Sequence, residues 1–214
     1  MKKLLVALLV VLMLAGCAAP AAKPVATMGA ATPTPTPIPA PTPTPAPTPI
    51  PDADFRNITW GMSRNEVITS EGKEPSRVGS DGDYYDGLEI MGFPVTLGYT
   101  YNGDKVSSGV YFFDQQHTNK TDYVDDYKNI KEALVSKYGQ PAEDNEIWKD
   151  DLYKDSPGDY GMAVSAGHLA YYTKWNTATT EIIALLSGDN FNISLFIRYK
   201  DNKAPDVTPD ASGL

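Results

Sequence analysis

Covalent chemistry needs particular side chains, and this chain of 214 residues uses them sparingly. Its one cysteine, Cys17, stands in LMLAGCAAP between an apolar run and a proline. A thiolate is a strong nucleophile, so Cys17 is the residue best equipped for bond formation. With no second cysteine there is no disulfide and no cysteine-based zinc site. The two histidines, His117 and His168, are 51 residues apart and lack the close spacing of a zinc helix. GMAVSAG approaches the turn that presents a nucleophilic serine, but Ala163 stands where glycine is required. Ser165 therefore reads as ordinary. DGDYYD, from Asp81, begins like a calcium loop. Tyr85 then takes the third ligand position, Asp86 replaces the glycine of the sharp turn, and Gly92 stands where a bidentate glutamate belongs. An acidic solvated turn is the expectation. Carboxylate pairs such as Asp125-Asp126 and Asp150-Asp151 serve glycan hydrolysis only when two acids face each other across a cleft about 5–10 Å wide. With 27 acidic residues, such pairs are ordinary surface. No glycine motif cradles a phosphate. The reading is a non-enzymatic protein with no catalytic residue, no metal ligand and no cofactor.

Aromatic residues are more unusual. Tyr84, Tyr85, Tyr171, Tyr172 and Trp175 fall in adjacent or alternating positions. Successive residues of a strand point to opposite faces, so some of these rings must point away from one core. Rings on a surface offer large contact area with few rotamers to freeze, which suits a protein or glycan partner. These five are the candidate partner-binding residues, against the alternative that both faces of a covered sheet are packed.

What precedes Cys17 places the chain. Lys2 and Lys3 open it, and Leu4 to Leu14 form an uncharged apolar run. A lasting membrane span needs about 20 such residues, whereas a positive start, a short apolar core and small residues before a cut describe a secretory signal. Leu14-Ala15-Gly16-Cys17 resembles a bacterial lipobox. That resemblance implies a diacylglyceryl group on the Cys17 sulfur, cleavage just before it, and a signal peptide of residues 1–16. The alternative is a free thiol with cleavage further on. Two acyl chains anchor a protein stably, at about 0.8 kcal/mol per buried methylene. Losing Lys2 and Lys3 takes 18 basic residues to 16 against 27 acidic ones, a net charge of −11. So acidic a body is repelled by nucleic acid and by anionic lipid. The membrane partner is reached through lipid at Cys17. The expected location is the cell membrane or outer membrane, with the domain facing away from the cytoplasm.

Residues 17–53 read as a stalk rich in alanine, proline and threonine, and 12 of the 18 prolines precede Asp52. Alternating prolines favour the polyproline II helix, so Pro33–Pro51 would reach roughly 60 Å. Residues 54–200 hold all the aromatics and are one domain's worth of chain. Residues 201–214, DNKAPDVTPDASGL, lack apolar periodicity and read as a disordered tail.

Within the domain, Ser63 and Glu66 make a capping box, and Met62 and Val67 a hydrophobic staple. Gly72 and Pro75 end the helix, giving 64–71. FPVTLGYTY alternates, with Phe93, Val95, Leu97, Tyr99 and Tyr101 on one face. Asn102-Gly103 marks a type I′ hairpin returning in KVSSGVYFF. A second helix spans about 122–138, with Tyr123, Tyr127, Ile130, Leu134 and Tyr138 on one side. HLAYYTKW, TTEIIALL and FNISLFIRYK are further strands, the last with Phe191, Ile193, Leu195, Ile197 and Tyr199 facing one way. The class is α+β, helices packed on antiparallel sheet. Both helices finish as Gly-then-Pro, 67 residues apart, which suggests two tandem α-then-β units.

GMSRNEV…EGKEP, residues 61–75, resembles the opening of small bacterial outer-membrane assembly lipoproteins, whose tandem version is similar to the β-lactamase-inhibitor-protein fold. The resemblance implies a non-catalytic protein binding through an exposed sheet face. This domain departs from the inhibitor proteins in lacking disulfides, and from the assembly lipoproteins in its long stalk, so neither partner carries over. Three functions stay open: binding a protein or envelope component through the sheet, binding a small ligand between sheet and helices, and carboxylate-based glycan hydrolysis.

Overall fold

A computed structural model describes residues 53–205. Residues 1–16, Cys17 and the stalk to residue 52 lie outside the described residues, as do residues 206–214. The chain folds as helix α1 (Arg64–Glu71), strands β1 (Arg77–Val78), β2 (Asp83–Ile90), β3 (Phe93–Asn102) and β4 (Lys105–Phe113), and helix α2 (Thr121–Tyr138). Strand β5 (Glu143–Trp148), a 3-10 turn at Pro157–Asp159 and helix α3 (Tyr160–Ser165) follow, then β6 (Leu169–Asn176), β7 (Thr180–Asp189) and β8 (Asn192–Asp201).

One antiparallel sheet holds all eight strands in the order β1-β2-β3-β4-β8-β7-β6-β5. Each run of four is a meander, and the last strands of the two, β4 and β8, pair at the centre. Three helices cover one face of the sheet. Tyr99 on β3 donates its hydroxyl hydrogen to Glu71 at the end of α1. Tyr127 on α2 hydrogen-bonds Thr173 on β6, and Tyr160 of α3 packs edge-on against Trp148 of β5. The core beneath them is continuous, from Val95, Leu97 and Tyr99 through Tyr111, Ile197 and Tyr199 to Ile182, Leu186 and Trp175.

Local chemistry explains most of the elements. The Ser63 amide and hydroxyl both donate to Glu66 at 2.7 Å, and Val67 is fully buried. Gly72 takes the left-handed stop, with φ of 69°. On α2, Tyr123, Val124, Tyr127, Ile130 and Leu134 are buried and Tyr138 half-buried. Trp175 Nε1 donates to the Gly139 carbonyl and Trp60 Nε1 to Thr180 Oγ1, fastening the end of α2 and the entering chain to β6 and β7.

Two turns differ from their sequence reading. The β3–β4 hairpin closes on the pair Asn102 and Lys105, and only Gly103 has positive φ, the II′ pattern rather than I′. Phe191 does not continue the inward face of the last strand. With Asn190 it forms the β7–β8 turn, both residues left-handed, and its ring is exposed. The segment at Asp81 leads into strand β2, where Asp83 is buried and accepts from Tyr101 and Arg64. Just beyond β8 the Asn202 amide donates to the Thr179 carbonyl.

Candidate functional site

Strand pairing divides the five aromatic candidates between the two faces. Tyr85, Tyr171 and Trp175 point under the helices and are buried, so they belong to the core. Tyr84 and Tyr172 point to the other face, where they are half-buried. Adjacent rings separated because the side-chain period of a strand is two.

The opposite face has an apolar centre. Phe112, Phe196, Leu185 and Tyr172 are consecutive cross-strand neighbours on β4, β8, β7 and β6. Phe112 is 36% exposed, and its ring lies 6.3 Å from that of Phe196. In the adjacent row Val110, Arg198, Ile183 and Lys174 alternate apolar with cationic. On β3, Gly98 leaves room for the Tyr84 ring, since a Cβ there would come within 3.1 Å of it. Ion pairs flank this centre. Lys174 bridges Glu143 and Glu181, and Glu181 also receives Arg198 at 3.2 Å. On the β2 side Arg77 pairs with Asp86, and the Thr96 hydroxyl donates to Asp114 at 2.9 Å and lies 3.3 Å from Asp86. The hydrogen bond from Tyr84 holds the Asp81 carboxyl below the usual carboxylate range, and that from Arg77 does the same for Asp86.

On the helical face a groove of about 590 Å³ crosses the central strands. Its floor is Tyr111, Phe113, Ile197 and Tyr199; α2 makes one wall, and the strap Ala53–Arg56 with Ile90 and Met91 makes the other. The strap is held firmly. Asp54 accepts from the Trp60 amide at 2.8 Å. Phe55 is buried against Tyr99, Tyr111 and Tyr199. Arg56, left-handed at φ of 56°, donates twice to Glu71 and once to the Tyr111 hydroxyl. Glu71 is 4% exposed, so this ion pair is buried on one side. Burial drives the Tyr99 and Tyr111 phenols upward from their usual value.

The residues singled out for catalysis are dispersed. Ser165 ends α3, buried, its hydroxyl without a hydrogen-bond partner. His117 lies on the α2 side, its Nε2 2.6 Å from Asp126, which also accepts from Gln115. Asp150 accepts from the Leu152 amide, and Asp151 pairs with Lys154. Asp125 is exposed on α2. No metal-holding group of three or more His, Cys, Asp or Glu occurs among the described residues, and no helix among them is long and apolar enough to cross a membrane.

Phe112, Phe196, Leu185 and the groove were not recognisable in the sequence as surface. Each looks like core until the strand order shows which face the helices take. No family model matches this chain, and neither does any curated protein or solved structure.

Proposed function

We propose that this is a non-enzymatic bacterial surface lipoprotein, anchored through acylated Cys17, whose domain binds an envelope protein through the uncovered face of its sheet. The observation that carries the reading is the row Phe112–Phe196–Leu185–Tyr172 on a face that no helix among the described residues covers. Monomeric proteins rarely leave contiguous apolar surface open without a use for it. Aromatic rings and arginine at the middle of a patch, with charged pairs around them, are the composition from which interface hot spots are drawn. Arg198 and Tyr172 fit that composition. The buried, partnerless hydroxyl of Ser165 supports the non-catalytic side of the reading. The meeting of β4 and β8 supports two tandem α-then-β units, because the strand order then reads the same outward from the centre.

Crosslinking in the native envelope tests this. Phe112→Glu and Tyr172→Glu, both on the uncovered face, are expected to keep the unfolding midpoint and lose the crosslinked protein. Retention of every crosslinked species by both folded variants overturns the choice of surface. Leu152→Glu, at an exposed residue outside every strand, serves as the control.

A further inference from the structure

The groove on the helical face has the makings of a second, separate site. At about 590 Å³ it falls within the roughly 300–1,000 Å³ range of small-molecule pockets. Its inner surfaces are Phe113, Ile197, Ile130 and Leu134, which ask for an apolar body. Its polar lining is Lys137 and Tyr138 of α2, Asp54 and Arg56 of the strap, and Thr177 and Thr179. Lys137 is exposed, makes no ion pair among the described residues, and lies with Nζ 4.9 Å from the centre of the Tyr138 ring. Arg56, across the groove, is already committed to Glu71 and Tyr111. A free cation at the edge of an apolar groove, in a protein of net charge −9, is a place for a negative group.

We propose that the groove binds one soluble amphipathic anion, its apolar body over Phe113 and Ile197 and its carboxylate, or an equivalent anionic head, at Lys137. The site is preformed, since both walls are fixed: α2 by the Tyr127–Thr173 and Trp175–Gly139 bonds, the strap by Asp54–Trp60 and Arg56–Glu71. A preformed pocket spares the ligand the cost of ordering its own site. The ligand is a monomer from solution rather than a bilayer lipid, because the acidic body is repelled by an anionic membrane surface. This inference is independent of the sheet-face reading and uses the opposite side of the domain.

The probe is decanoate below its micelle concentration, titrated into the full chain carrying Cys17→Ser, with 1-decanol as the uncharged comparator. Saturable binding of one decanoate is expected, with methyl NMR shifts at Ile130, Leu134 and Ile197. Lys137→Glu should weaken decanoate about fivefold, as for loss of an exposed ion pair, and leave decanol binding unchanged. Ala133→Trp, which fills the groove from the helix, should abolish both at an unchanged unfolding midpoint. Absence of saturable binding overturns the proposal. So do methyl shifts confined to Ile183 and Leu185 of the opposite face, or equal weakening of acid and alcohol by Lys137→Glu. Binding only to anionic vesicles also overturns it. If Ala133→Trp unfolds, the methyl map of the Cys17→Ser chain and the Lys137→Glu comparison still decide.

Discussion

Gly109→Ala adds a single methyl group, and its effect should change sign with the residue facing it. A Cβ built on Gly109 would lie 2.2 Å from Cε1 and 2.3 Å from Cδ1 of Phe55. Carbon atoms in contact settle at about 3.5–4.0 Å, so the ring must retreat by more than an ångström. Little space is open to it. The ring is 4% exposed, with ring centres of Tyr199 at 4.5 Å, Tyr111 at 5.0 Å, Tyr99 at 5.8 Å and Trp60 at 6.4 Å. Overpacking of a filled core costs about 1–3 kcal/mol, and a rigid ring inside a box of rings points to the upper half of that range. Phe55→Ala alone removes the obstacle and should cost about 3–5 kcal/mol.

The double variant is the discriminating measurement. With Phe55 gone, the Gly109 methyl enters vacated space, and Gly109 is not among the positive-φ glycines that alanine would strain. Glycine within a strand is roughly 0.5–1 kcal/mol worse than alanine. On the Phe55→Ala background, Gly109→Ala should therefore stabilise, whereas in the parent it destabilises. Urea unfolding of the four proteins, compared at constant m, reads this directly. Effects that add to within about 0.5 kcal/mol would show that Phe55 does not sit on Gly109. The strap wall of the groove would then be misplaced.

Further expectations concern the strap, the phenols and the anchor. Glu71→Ala leaves Arg56 with only the Tyr111 hydroxyl and strands the Tyr99 hydroxyl; breaking a buried pair costs about 3–5 kcal/mol, and Arg56, with its side chain 31% exposed, places the loss at or below the lower end, measurable in the same urea experiment. Burial raises the Tyr85 phenol to about 12 and those of Tyr99, Tyr127 and Tyr171 above the ordinary range. The folded state then holds protons that the unfolded state releases, so stability is fully present below about pH 10 and falls as pH rises beyond it. A urea midpoint that stays flat to pH 11 contradicts this. Cys17→Ser in a bacterial host should move the domain from the detergent phase to the aqueous phase, and unchanged partitioning removes the anchor from the proposal.

Legibility in this sequence follows the source of each signal. Helix α1 was readable because its cap is local: Ser63, Glu66, Gly72 and Pro75 carry it without help from the rest of the fold. The α2 stripe and the inward faces of β3 and β8 were readable because burial on one side imposes a period. Strand β2 hid because its period breaks. Its register shifts between Tyr85 and Leu88, with Gly87 at positive φ in the interruption. Strand β5 hid for another reason. It is an edge strand with Glu143, Asp144 and Glu146, and charge at an edge suppresses both the strand signal and aggregation. Helix α3 has six residues, too few for periodicity, and Gly161 is there because a Cβ would meet the Lys120 backbone at 2.3 Å.

The binding surfaces fail to show in the sequence for a geometric reason that bears on what they do. In YYTKW, alternation alone says that Tyr171 and Tyr172 part company; only the position of α2 decides which one faces solvent. Tyr127 settles the matter by packing on Tyr171 and bonding Thr173. The same helix also forms one wall of the groove, through Ile130, Ala133, Leu134 and Lys137. One element thus buries the inner rings, leaves the outer row Phe112–Phe196–Leu185–Tyr172 uncovered, and presents Lys137 to the groove. Its anchoring bonds are correspondingly central. Tyr127→Phe removes the hydroxyl that Thr173 bonds, and Thr173 keeps its donation to Asp144, so the loss should stay near the roughly 1 kcal/mol of one hydrogen bond. Thr173→Val takes both bonds at once and leaves the Tyr127 hydroxyl buried without a partner, at a further penalty of about 1–3 kcal/mol. If the two variants unfold at the same urea concentration, α2 is not held through Thr173, and both the uncovered row and the groove lose the element that defines them.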